Sequence, residues 1–208
     1  MLRGQRVMEN DLILEPDSHE YRHRGRVVPG VTQLLSQLVD MNGIPLKNIE
    51  HAKDRGQKVH RACELYDQND LDISSLDHVI VPYLEAWILF RKETDFEPSK
   101  GMIEAKFFHP TAYYAGTIDR VGFMGMRNTL ALVDVKVVAK LSAVTGVQTA
   151  AYKELVQRSG LHKEEIERFA VRLRDNGKYE IQQYTDPDDY RVFLSLINLR
   201  NWRTKHAA

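Results

Sequence analysis

Leu130-Ala131-Leu132-Val133-Asp134-Val135-Lys136-Val137 is the stretch on which the fold turns. Side chains alternate between the two faces of a strand. Read as a strand, it puts Ala131, Val133, Val135 and Val137 on one face, all apolar. The other face starts with Leu130 and Leu132 and ends with Asp134 and Lys136. A strand apolar on both faces belongs in the middle of a sheet covered on both sides. Two charges pointing the same way out of such a strand need a partner or a site, because burying an unpaired charge is prohibitive.

The neighbouring sequence supplies a partner. Tyr113 to Met124 reads as a strand, and the loop Gly125-Met126-Arg127-Asn128 turns it back on the first. With Met124 facing Thr129, counting back in step sets Asp119 opposite Asp134. Opposed residues in an antiparallel pair share a face, with Cβ atoms about 4.5–5.5 Å apart. Two carboxylates that close repel unless a proton or cation lies between them. A hard divalent ion such as Mg²⁺ or Mn²⁺ suits oxygen ligands. Lys136, two residues on, reaches the same zone. Taken alone, the pattern also fits an Asp–Lys ion pair on a surface hairpin.

Further out, the period changes. Leu46 to about Asp67 recurs at three- and four-residue steps, which predicts a helix. On it Gly56, His60 and Glu64 are spaced by four and share a face. His60 could be a nitrogen ligand with Glu64 orienting its ring, although a lone helical histidine is more often structural. A second helix is predicted over Asp77 to Lys92, with Pro82 in its first turns. Met102 to Phe108 reads as a strand, and Ser142 to Arg158 as a helix. On that helix Gln148 and Tyr152 share a face, either to meet a phosphate or base or to dock the ring into the core.

Leu12 to Val28 predicts a hairpin, and Thr32 a cap for a short helix over Gln33 to Val39. Ile166 to Leu173 and Tyr179 to Tyr184 form a hairpin around Asn176-Gly177, and a helix runs from Pro187 to Arg203. This order predicts an α/β (α+β) fold with a central mixed sheet flanked by helices. One domain over 1–208 is expected, with an N-terminal hairpin and short helix (1–40), a core (46–158) and a C-terminal hairpin and helix (161–208).

Composition narrows the classes. The 208 residues carry 29 Lys+Arg against 29 Asp+Glu, so any nucleic-acid contact must use a local basic surface. The single cysteine, Cys63, excludes an intramolecular disulfide, a four-cysteine zinc site and a cysteine-ligated iron–sulfur cluster. No apolar run has the length of a transmembrane helix, and Met1 to Asn10 lacks the apolar centre of a leader. A cytoplasmic protein without a membrane partner is expected.

Taken together, the motifs resemble the PD-(D/E)XK nuclease superfamily with its restriction-endonuclease-like core, and within it the RecB-like exonuclease branch. The matching elements are Gly56-x-x-x-His60, Glu104, Gly116-Thr117-Ile118-Asp119, Asp134-Val135-Lys136 and Gln148-x-x-x-Tyr152, in the branch's order. Tyr21 to Leu35 is also similar to phage and mitochondrial genome-maintenance relatives. The resemblance implies Mg²⁺ or Mn²⁺, one or two ions, bound by His60, Asp119, Asp134 and the carbonyl of Val135, with Glu104 at a second ion or bracing the site. Lys136 would be the catalytic lysine, acting with Asp119 and Asp134. Gln148 and Tyr152 would orient Lys136 or the DNA. Thr32 and the helix start beside it could take a phosphate, and Arg24 and Arg26 of the basic turn could touch DNA. Gly30 stands where relatives often have Ser, and Val137-Val138 where a Thr is common. The activity implied is exonucleolytic DNA hydrolysis in recombination or processing, on linear duplex or single-stranded DNA, with a single-strand annealing protein or further copies of the chain as partners. A structure-specific endonuclease and a non-hydrolysing nucleic-acid-binding module are the alternatives.

Overall fold

The computed structural model describes residues 11–15, 18, 20–39, 45–125 and 128–207. The leader reading of Met1 to Asn10 and the centre of the loop at Met126-Arg127 lie outside them. The quoted strand is β6 (Thr129–Lys136), the middle of a five-stranded sheet ordered β4-β5-β6-β7-β8. Its companions are β4 (Glu97–His109), β5 (Tyr114–Met124), β7 (Glu167–Leu173) and β8 (Tyr179–Gln183). All pairs are antiparallel except β6 with β7. A parallel pair needs a crossover, and the helix α4 (Ala143–Ser159) lies in the connection.

The alternation of β6 sorts the core. Ala131, Val133 and Val135 pack with Val59 and Cys63 of α2 (Leu46–Asp67) and Trp87 and Phe90 of α3 (Val81–Thr94). Leu130 and Leu132 pack against Leu155 of α4, Leu34 of α1 (Val31–Leu35), and Phe193 and Ile197 of α5 (Asp189–His206). The expected α/β fold, a mixed sheet flanked by helices, is the one observed.

The boundaries differ in places for local reasons. The N-terminal region is three antiparallel strands, β1 (Leu12–Leu14), β2 (Tyr21–His23) and β3 (Arg26–Val28), not two. The turn that makes the third strand is Arg24-Gly25, both at positive φ. It falls in the basic turn expected around Arg24 and Arg26. Thr32 does not cap α1: the helix starts at Val31 with Gly30 at its N-cap, and Thr32 is exposed within it. α3 starts at Val81, with Pro82 in its first turn where the missing N–H is harmless. β4 is longer than expected and shifts register between Pro98 and Ile103. Its first residues cross so close to β5 that a Cβ on Gly122 would lie 2.1 Å from the Glu97 carbonyl oxygen.

One buried cluster fixes the helices to the sheet. Asp67, at the end of α2, accepts from Arg120 Nε of β5 at 2.5 Å and from Arg91 Nη1 and Trp87 Nε1 of α3, each at 2.9 Å. The side chains of Asp67 and Arg120 are 0 and 1 % exposed, and the Arg120 guanidinium lies 5.7 Å over the Trp87 ring. Removing one partner of a buried pair strands the other charge, which typically costs about 3–5 kcal/mol. Asp67→Ala is therefore expected to lose stability of that order in urea unfolding. Asp67→Leu combined with Arg120→Met should recover part of the loss. A single variant as stable as the parent would remove this cluster from its structural role.

Candidate metal centre

The site forms where β5 and β6 part. Their ladder runs from Met124 facing Thr129 back to Arg120 facing Val133, the register expected from the loop. It stops one pair short of Asp119 and Asp134. Strict alternation also fails there, since Ile118 and Val121, three residues apart, both join the core under α4, whereas Arg120 turns to Asp67 and Trp87 on the other side. A buried N–H must find an acceptor. The Val135 N–H donates to the Asp119 carboxylate, Oδ2, at 2.7 Å.

β4 contributes a second irregularity. Ile103 and Ala105 pair with Arg120 and Ile118, and Glu104 between them has φ +48°, in the left-handed region. Arg120 Nη1 donates to Glu104 Oε1 at 3.0 Å and to the Asp119 carbonyl at 2.6 Å. From α2, His60 Nδ1 comes to 3.7 Å from Asp119 Oδ2 and 3.9 Å from Glu104 Oε1. One ligand atom each from His60, Glu104 and Asp119 lies within 4.8 Å of the other two. Donors at about 2.1 Å from one ion are at most about 4.2 Å apart. The three are near that spacing.

Asp134 stands outside this trio. Lys136 Nζ lies 2.6 Å from its Oδ2 as an ion pair, but that oxygen receives no aligned hydrogen bond although Asp134 is only 2 % exposed. Lys136 Nζ donates to Gln148 Oε1 at 2.9 Å, and Gln148 Nε2 to the Tyr152 hydroxyl at 3.2 Å. Gln148 and Tyr152 are buried, so they stand behind the lysine and offer no open ring or amide face.

The electrostatics follow from burial. Burial lifts Asp134 to about 6; Lys136 pulls it down and Asp119 pushes it up. Asp119 is likewise raised by burial, against the pull of His60. For His60 burial opposes the charged ring, yet Asp119 and Glu104 outweigh it and its pKa rises. Lys136 also rises, since Asp134 and Asp119 more than offset its burial, so it is an ammonium. A bound cation would reverse the upward pressure on both aspartates.

The remaining expected residues are scattered. Glu64 lines the same hollow as His60 and Glu104, but its carboxylate pairs with Arg61 at 2.7 Å and accepts from Gln68 at 3.3 Å. Arg24 pairs with Asp11 at 2.8 Å, and Arg24 and Arg26 lie exposed on the N-terminal sheet. Sequence reading passed over Arg120 and Asp67, because one arginine in a strand and one aspartate at a helix end carry no local signature. It also passed over Tyr21, whose hydroxyl is 2.8 Å from Thr117 Oγ1.

Tyr152 needs room against β5. A Cβ on Gly116 would lie 2.7 Å from Tyr152 Cε1. Overpacking of this kind costs about 1–3 kcal/mol, so Gly116→Ala should lower the urea midpoint by a matching amount. Unchanged stability would mean that the ring moves aside freely.

No family model and no curated protein matches the chain. Among solved structures, it is similar to the crystal structure of a "Putative exonuclease" from Eubacterium rectale, with a TM-score of 0.46 and 13% identity over 74% of this chain and 68% of that one.

Proposed function

We propose that the chain is a divalent-metal-dependent deoxyribonuclease of the PD-(D/E)XK superfamily, working as an exonuclease of the RecB-like branch. The observation that carries this reading is the convergence of His60, Glu104 and Asp119 beside the buried Asp134–Lys136 pair. The donor set suits Mg²⁺ or Mn²⁺: carboxylate oxygens with one imidazole, and a further buried carboxylate on Asp134 that is shared with Lys136. His60, Glu104, Asp119, Asp134 and the Val135 carbonyl would hold the ion. Bound there, it would supply Lewis-acid polarisation of a phosphate and a more acidic water.

The chain's own groups do the rest. Asp119 is fixed by the Val135 N–H and so cannot swing away from β6. Lys136, charged and pinned between Asp134 and Gln148, is placed to donate to a phosphate oxygen and to offset the negative charge that builds there. In the net reaction a water oxygen bonds to phosphorus, the bridging P–O bond breaks, and the departing oxygen is protonated. Gln148 and Tyr152 orient Lys136 from behind. The end-directed mode of attack rests on the resemblance of the motifs.

Purified protein with Mg²⁺ or Mn²⁺ is expected to degrade linear duplex DNA and to stop in EDTA. Asp119→Asn, Asp134→Asn and Lys136→Ala should each lose about 10²-fold or more. Activity equal to the parent in all three would place the chemistry elsewhere, and salt-dependent DNA binding without turnover would make the chain a binding module. Covalently closed circles should survive, whereas their cleavage would indicate an endonuclease. Gln148→Ala should lower kcat by about 10- to 100-fold and move KM less, the pattern of a displaced catalytic group. An effect on KM alone would assign Gln148 to substrate contact.

A further inference from the structure

A glycine in the middle of a long helix is a cost that needs a reason. Gly56 is eleventh of the 22 residues of α2, where glycine is about 0.5–1 kcal/mol worse than alanine. The fold gives no reason. A Cβ at Gly56 would meet nothing within 4 Å. Gly56 is one helical turn before His60 and lines a hollow of about 430 Å³ with Lys53, Gln57, His60, Arg61, Glu64 and Glu104.

The same wall presents two cations, Lys53 and Arg61, along its exposed edge. Lys53, Gln57 and Arg61 recur every four residues and form an exposed row beside the row Gly56, His60 and Glu64. Lys53 makes no ion pair with a described residue, whereas Lys58, on another face, is held by Asp54 at 2.8 Å. Arg61 is shared with Glu64. From Lys53 to Arg61 the helix rises about 12 Å, long enough to lie beside more than one phosphate of a strand. The hollow is also lined by His60 and Glu104, two of the three clustered ligand groups.

We propose that this face of α2 is the track for the sugar–phosphate backbone of the strand being cut, with Gly56 the point of closest approach and Lys53 a phosphate contact. The proposal rests on the nuclease reading for its substrate. A missing side chain at position 56 lets the strand lie against the helix backbone, and that brings the next phosphate to the clustered ligands. Gln57 donates to the strand, and Arg61 follows His60 in the chain.

Stability and binding should therefore move in opposite directions. Gly56→Ala and Gly56→Leu should melt at or above the parent temperature. Affinity for a fluorescent single-stranded oligonucleotide, read by anisotropy with Ca²⁺ in place of Mg²⁺, should fall about 3-fold for Ala and 10-fold or more for Leu. Lys53→Ala should bind more weakly at low salt, and its slope of log affinity against log salt should shrink by about one phosphate contact. Gly56→Leu binding as tightly as the parent, or Lys53→Ala with an unchanged salt slope, would overturn the track. So would a Gly56→Leu protein that melts well below the parent, because the glycine would then serve the fold. A parent that binds but never cleaves would refute the nuclease reading and leave the track supported by the binding results. A parent that cleaves, with Gly56→Leu equal to it in KM, would do the reverse.

Discussion

The Asp119 carboxylate takes the place of a strand. Where β5 leaves β6, the Val135 N–H would be stranded in the interior, and Asp119 Oδ2 receives it instead. A buried donor left unpaired costs about 1–3 kcal/mol, so this bond fixes where the strands separate. The opening it holds admits His60 from α2, Glu104 from β4 and Lys136 from β6 to one region. The site is built on rigid elements because its first residue is itself part of the sheet's hydrogen bonding.

The second support is the Asp67–Arg120 pair. Arg120 links two tasks. Its Nε holds the end of α2 through Asp67, and its Nη1 holds Glu104 and the Asp119 carbonyl. The helix that carries His60 and the strand that carries Glu104 are thus referred to one guanidinium. Arginine suits this role because its planar fork keeps several donors in fixed relation.

Much of this was legible in the sequence because it depends on period and parity. The alternation of Leu130 to Val137 placed both core faces of β6, and the loop after Met124 set the register with β5. The resemblance of the motifs implied that Gln148 would orient Lys136 or the DNA, and in the structure Lys136 Nζ donates to Gln148 Oε1. What could not be read was irregular backbone. The left-handed turn of Glu104 and the break in alternation at Asp119–Arg120 occur at residues whose types do not announce them. Nor did Arg120 or Asp67 stand out, since their partnership spans 53 positions in the chain.

Glu104 shows what the arrangement demands of the protein. A glutamate at φ +48° is in a region that a side chain enters only at a cost of about 1–3 kcal/mol. Asparagine or glycine would tolerate that backbone better, and neither would leave a long carboxylate facing His60. Sequence drift toward greater stability at this position thus runs directly against retention of the Glu104 carboxylate. On the proposed metal-binding reading the centre persists only under selection for the ion, and a copy of the chain released from that demand should lose its carboxylate at position 104 early.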